Sequence, residues 1–122
     1  MGSKYKGYLI LLLATGFCAC KHKPEKAEPV MVTYKGMYSF GPEEKSFKDC
    51  KEGREFWVTD SSNQLELQYS QLHFEKPYVP VYIEVVGEKV VSEKDDISSI
   101  FDSTLVVRKV IKITRDIPAS CN

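Results

Sequence analysis

The chain has 122 residues, of which 17 are basic and 17 acidic, so its formal net charge is zero. This length allows one folded domain and leaves no room for two. A nucleic-acid-binding protein needs a net basic surface to gain free energy from counterion release. The balanced charge therefore argues against a nucleic-acid partner.

The N-terminal segment has the features of a secretory signal. Two early lysines provide a positive region, and the apolar run over residues 9–17 is too short to span a bilayer. Ala19 is followed by Cys20, and this arrangement of a small residue before a cysteine resembles bacterial lipoprotein signals. We predict a signal peptide over residues 1–19 and lipidation at Cys20, with palmitate among the acyl chains.

Three other interpretations of this segment stay open. Cleavage before Cys18 would put the bulky Phe17 where lipoprotein signals take a small residue, although Phe17 also stands where a signal cleaved at Cys20 favours leucine. An uncleaved membrane anchor is the second alternative. The third is a metal pair formed by Cys18 and Cys20 near His22, since thiolates suit copper(I) or zinc. Signal removal would discard Cys18, so Cys20 as the lipid site is preferred.

Residues 20–29 are charged, contain proline and show no apolar periodicity, which is typical of a tether. We predict that this tether connects the lipid to a folded domain over residues 30–122. Cys50 and Cys121 remain after the lipid site. An exported chain enters an oxidising compartment, where an even thiol count favours a bridge, so we expect these two cysteines to form a disulfide.

The first half of the domain alternates like a β-meander. Residues 30–40 alternate apolar and polar side chains, with Gly36 predicting a bend. Residues 47–50 form a second short strand and residues 55–59 a third, joined by a tight turn that contains Gly53.

The second half begins with a helical period. Residues 62–74 are predicted to form one amphipathic helix, with Ser61 and Gln64 as a capping box. A fourth strand over residues 81–86 ends at Gly87, residues 92–103 form an acidic loop with a short helical turn, and residues 104–114 form the last strand. Three strands, a helix and two strands are the element order of the OB-fold. We therefore predict a mostly β protein, a small five-stranded Greek-key barrel with one α-helix between strands 3 and 4.

With these elements placed, the chain resembles the C-terminal OB-like domain of the NlpE lipoprotein family, outer-membrane lipoproteins linked to copper tolerance and envelope stress signalling. The similarity covers roughly residues 34–121. It depends on the string Phe47-x-Asp49-Cys50-x-x-Gly53-Arg54-x-Phe56-x-Val58, on Leu65-Glu66-x-x-Tyr69, on Pro80 and Gly87, and on the terminal Cys121.

The resemblance implies an outer-membrane location in the cell envelope and a bond between Cys50 and Cys121. Longer family members carry a separate N-terminal barrel with a Cys-x-x-Cys motif, which no segment of this sequence matches. The spacing of Cys18 and Cys20 differs from that motif. We therefore do not transfer the copper and redox roles of that barrel to this chain, and we expect no cofactor and no metal.

The candidate chemical groups favour a binding protein over an enzyme. General acid-base catalysis needs carboxylates held across a cleft, whereas the carboxylates at positions 49, 52, 55 and 60 fit solvated turns. His22 and His73 are isolated, the latter fitting a helix end, and no nucleophile motif is present. Trp57 points away from Phe56 and Val58, so it is a possible contact residue if that face is outward.

These observations predict a lipid-anchored envelope protein that acts as a non-catalytic interaction or stress-sensing module. Its partners would be the membrane, through the lipid on Cys20, and other envelope proteins. The alternative is a lipoprotein that binds a small ligand, namely a metal, an oligosaccharide or a peptide, on the open barrel face.

Overall fold

The computed structural model describes residues 30–121, so the predicted signal peptide, Cys18, Cys20 and the tether lie outside the described residues. Five strands form a closed barrel in the order β1-β2-β3-β5-β4. Their bounds are β1 Val32–Phe40, β2 Lys45–Asp49, β3 Glu55–Asp60, β4 Val81–Val91 and β5 Ser103–Thr114. A helix α1, Leu65–Ser70, lies between β3 and β4, and short 3₁₀ helices occupy Ile97–Ile100 and Ala119–Cys121. The predicted fold class is confirmed.

The pairing pattern closes the barrel. β1 pairs antiparallel with both β2 and β4, and β4 pairs antiparallel with β5. β3 and β5 pair in parallel, which is the crossover that brings the last strand beside the third. The core is filled by buried apolar side chains from every strand and from α1: Tyr38, Phe47, Phe56, Val58, Leu65, Tyr69, Val81, Ile83, Val85, Leu105 and Val107.

The helix is shorter than the predicted span of residues 62–74. Asn63 and His73 have left-handed backbone conformations, with φ of 59° and 51°, so the helical geometry cannot continue through either residue. The predicted capping box is also wrong. Gln64 is the N-cap without a side-chain cap, and the carboxylate of Asp60 instead accepts hydrogen bonds from the backbone N–H groups of Ser62 and Glu66.

The fourth strand is longer than predicted, because it continues through Gly87 to Val91. An added Cβ at Gly87 would lie 2.3 Å from the carbonyl oxygen of Val106. This glycine therefore permits a close approach of β4 and β5 and does not form a turn. Two register shifts between β4 and β5, at Glu84/Val85 and at Val86/Gly87, bend the pair.

Candidate interaction site

Trp57 lies on the outer face of β3, between the buried residues Phe56 and Val58, and its side chain is half-buried. It forms one wall of a hollow with a volume of about 260 Å³. The pairing explains the hollow, because Trp57 is opposite Thr104 on β5 and Thr104 is opposite Val90 on β4. The remaining lining residues are Thr59, Val91, Glu93, Asp96, Ser98 and Val106.

The hollow is acidic. Glu93 and Asp96 belong to the β4–β5 connection, and no lysine or arginine lines the hollow with them. Asp96 accepts a hydrogen bond from the backbone N–H of Ile97 at 2.7 Å, which fixes its carboxylate. The hydroxyl oxygens of Ser92 and Thr104 lie 2.9 Å apart and hold the connection against β5. An indole beside two carboxylates is suited to a cationic group.

Alternation predicts that Trp57 points away from Phe56 and Val58, and in the structure its side chain lies on the outer face. The acidic loop predicted over residues 92–103 contributes Glu93 and Asp96 to the same hollow. The structure brings Glu93 and Asp96 to Trp57 although they are more than thirty positions away along the chain. The parallel pairing of β3 with β5 brings these residues close to Trp57, and no local sequence pattern reveals that pairing.

A second concave surface lies at the opposite end of the barrel, beside α1. It has a volume of about 590 Å³ and is lined by Phe40, Gly41, Pro42, Tyr69, Ser70, His73, Phe74, Glu75, Lys76 and Pro77. The ring of Tyr69 is 5.5 Å from that of Phe40 and 5.4 Å from that of Phe74. We call this surface the aromatic groove. His73, predicted as a helix-end residue, lies three residues after the end of α1 and lines the aromatic groove.

Hydrogen bonds fix the walls of the aromatic groove. The hydroxyl of Tyr69 donates to the carbonyl of Val79 at 2.7 Å, and the N–H of Tyr78 donates to the carbonyl of Phe40 at 2.9 Å. The hydroxyl of Tyr78 accepts from the N–H of Glu43 at 3.0 Å. The groove is therefore held by contacts between the β1–β2 turn and the segment that follows α1.

Cys50 and Cys121 form a disulfide in the structure, with their Cα atoms 4.5 Å apart. Cys50 directly follows β2, and its N–H donates to the carbonyl of Lys35 on β1. A cleft of about 360 Å³ adjoins the disulfide, lined by Thr33, Lys35, Asp49, Cys50, Lys51, Tyr82, Ser120 and Cys121. The bond therefore fastens the C-terminal segment to the outside of the barrel near β1.

The carboxylates considered for catalysis have structural contacts. Asp49 accepts a hydrogen bond from the N–H of Glu52 at 2.6 Å, and Glu52 forms an exposed ion pair with Arg54 at 3.0 Å. Asp60 caps the segment that leads into α1. Between residues 30 and 121, no three His, Cys, Asp or Glu side chains come together as a metal site would require.

Burial raises the pKa of two tyrosines at the end of the barrel next to α1. For Tyr38 the main cause is desolvation, with further contributions from Glu66 and Asp60. For Tyr69 the main cause is also desolvation. Both phenols therefore keep their protons at neutral pH and pack as neutral aromatic side chains.

Among the helices of residues 30–121, none has both the length and the apolar character needed to cross a bilayer.

These features define a small, disulfide-linked OB-fold domain with two concave surfaces at opposite ends of the barrel. A family model described as the NlpE C-terminal OB domain matches residues 14–122. The chain therefore belongs to the family of NlpE C-terminal OB domains, and the predicted resemblance is confirmed.

The fold is also similar to that in the crystal structure of the Cpx pathway activator NlpE from Escherichia coli. The TM-score is 0.59 and the sequence identity is 21%, over 77% of this chain and 45% of that chain. This chain thus corresponds to less than half of the length of the E. coli protein, and at this identity the similarity concerns the fold. No curated protein matches the chain.

Proposed function

We propose that this chain is an envelope lipoprotein, anchored through Cys20, whose barrel is a non-catalytic interaction or stress-sensing module. The observation that carries the proposal is the family match over residues 14–122, which begins before Cys20 and includes the whole barrel. The E. coli relative is described as an activator of the Cpx pathway. We infer a related role in envelope stress for this chain.

The site geometry supports a role without catalysis. The carboxylates at positions 49, 52 and 60 hold turns in place. Among the described residues that line the aromatic groove or the hollow at Trp57, no nucleophilic side chain is hydrogen-bonded to a base. Reaction chemistry needs such convergent groups. A surface with an indole, carboxylates and neighbouring apolar side chains is better suited to binding.

The anchor is tested by metabolic labelling with palmitate in the native cells. We expect wild-type protein and Cys18→Ala to incorporate label and Cys20→Ala to incorporate none, because only Cys20 follows a small residue. Label retained in Cys20→Ala, or lost in Cys18→Ala, would contradict the assignment of the lipid site. Mass spectrometry of the purified N-terminus gives the same answer independently.

The interaction role is tested by affinity capture of the lipidated protein from its own envelope after mild cross-linking. We expect reproducible co-purification of other envelope proteins that is absent with an unrelated lipoprotein of similar abundance. Capture of lipids alone would count against an interaction module.

A second candidate function, binding of a small ligand, is favoured by the aromatic groove. Its volume of about 590 Å³ falls in the range of ligand pockets, roughly 300–1,000 Å³. Aromatic rings with neighbouring polar groups suit an oligosaccharide or a peptide. A ligand of this class should raise the melting temperature of wild-type protein but not that of Phe74→Ala.

A further inference from the structure

At the end of the barrel where the described chain begins, β4 extends beyond its partner β1. Val32, the first residue of β1, is opposite Gly87, whereas β4 continues to Val91. Residues 88–91 pair with β5 on one side, and no strand of residues 30–121 pairs with the other side. Such an edge presents backbone groups to which another extended chain can pair. We call the stretch from Glu88 to Val91 the β4 edge.

Exposed apolar side chains are concentrated around the β4 edge. Val91 is 84% exposed and Ile100 is 58% exposed. Eleven large hydrophobic side chains are exposed among the described residues. Seven of them lie just before or at the start of β1, at the end of β4 or in the 3₁₀ helix between β4 and β5: Val30, Met31, Val32, Val90, Val91, Ile97 and Ile100. Concentration at one end, as opposed to scattered exposure, is typical of an interaction surface.

The two faces of the β4 edge differ in charge. On the outer face, Val90 adjoins Trp57, Glu93 and Asp96, with no cation in the lining. On the inner face, basic and acidic side chains line the mouth of the barrel together: Lys51, Arg54 and Lys89 with Asp49, Glu52, Glu55 and Asp102. Val32 and Ile100 also line this mouth. An added strand would place alternate side chains on these two faces.

We propose that the β4 edge binds an extended segment of another protein in which basic and apolar residues alternate. The proposal rests on the interaction function proposed above and specifies the partner's chemistry. Basic side chains on the outer face would extend over Val90 toward the acidic hollow that contains Trp57, Glu93 and Asp96. Apolar side chains on the inner face would contact Val32 and Ile100, which line the mouth of the barrel.

The test uses the lipidated full-length protein in non-ionic detergent, with Trp57 as reporter because it is the only tryptophan in the chain. The probe is a blocked six-residue peptide of alternating valine and arginine, and the matched control peptide contains glutamate in place of arginine. We expect saturable change of Trp57 emission with the arginine peptide and none with the glutamate peptide. An absent response to the arginine peptide, or an equal response to both, overturns the proposal.

Paired variants locate the binding. The double variant Glu93→Gln, Asp96→Asn should bind the arginine peptide roughly three- to tenfold more weakly, the loss expected for exposed ion pairs. Asn at position 96 can still accept the hydrogen bond from Ile97, and equal melting temperatures will verify the fold. The control double variant Glu43→Gln, Asp116→Asn removes two exposed charges at the opposite end and should bind like wild type. Equal loss in both variants would overturn the site.

Other occupants of this surface give different results. A Trp57 emission change on dilution without peptide would indicate a second copy of the chain. Quenching of Trp57 by brominated phosphatidylglycerol in anionic vesicles would indicate a lipid surface. Either result, without peptide binding, overturns the proposal. Failure of peptide binding while capture still recovers partners rejects this site alone. Peptide binding without any captured partner supports the site and counts against the proposed function.

Discussion

Tyr38 combines a buried position with a polar group that has no hydrogen-bond partner among the described residues. Its side chain is fully buried, and its ring makes an edge-to-face contact with Tyr69 at 5.7 Å. Its hydroxyl oxygen has no hydrogen-bond partner among the described residues. The ring therefore stabilises the core, while the buried, unpaired hydroxyl costs free energy.

We expect Tyr38→Phe to raise the free energy of unfolding at neutral pH by about 1 kcal/mol, because it removes an unpaired polar group and keeps the ring. The matched control is Tyr69→Phe, which removes the hydrogen bond to the carbonyl of Val79. It should lower the free energy of unfolding by about 1 kcal/mol. Urea denaturation of both variants measures the difference, and destabilisation by Tyr38→Phe would show that the hydroxyl is satisfied in solution.

The raised pKa of Tyr38 also predicts a pH dependence. Desolvation raises the pKa in the folded state, whereas a tyrosine in the unfolded chain ionises near its usual value of about 10. As the pH rises, the unfolded state therefore loses this proton first. The stability that protonated Tyr38 contributes is complete below about pH 10 and declines above it. Urea denaturation measures the free energy of unfolding at about pH 9 and pH 11. The decrease between the two pH values should be smaller for Tyr38→Phe than for wild type. An identical loss would mean that other groups control the alkaline transition.

At the scale of elements, glycines determine how closely the strands approach. A Cβ added at Gly36 on β1 would lie 2.2 Å from the carbonyl oxygen of Lys48 and 2.6 Å from the ring of Phe47. The neighbouring β2 backbone would have to move. Gly53, in the β2–β3 turn, differs because a Cβ added there would lie 4.0 Å from its nearest neighbour, Cε of Lys48, although its φ of +71° is left-handed.

We therefore expect Gly36→Ala to destabilise the barrel by about 3 kcal/mol, the upper part of the range for overpacking. Gly53→Ala should cost only about 1 kcal/mol, since it introduces backbone strain without a clash. Chemical denaturation measures both free energies. A cost for Gly36→Ala no larger than that for Gly53→Ala would show that β1 and β2 separate readily.

Local patterns predicted the five strands and their order because strand alternation and turn residues are read over a few positions. The length of β4 was predicted wrongly because it depends on a distant contact. The length of α1 was predicted wrongly because the left-handed backbone at Asn63 and His73 is not visible in the apolar periodicity. Gly87 resembles a turn residue in sequence, and only the carbonyl of Val106 explains its role within β4. Alternation predicted that Trp57 points away from Phe56 and Val58, whereas the proximity of Glu93 and Asp96 to Trp57 depends on the pairing of β3 with β5.

At the scale of the whole molecule, the disulfide joins parts of the fold that the strand ladder leaves separate. Cys50 follows β2, and Cys121 lies seven residues after the end of β5. The loop that it closes includes β3, α1, β4 and β5, and the sequence separation is 71 residues. Closure of so long a loop restricts the unfolded chain strongly in the chain-entropy model.

We expect the double variant Cys50→Ala, Cys121→Ala to lose roughly 4 kcal/mol of unfolding free energy, the chain-entropy value for a loop of this length. That is a large part of the typical stability of a domain, about 5–15 kcal/mol, so the variant should melt at a clearly lower temperature. Reductant provides the matched control: it should lower the melting temperature of wild type to that of the variant and leave the variant unchanged. If reductant has no effect on wild type while free-thiol labelling shows both cysteines reduced, the strand ladder and core alone hold the barrel together.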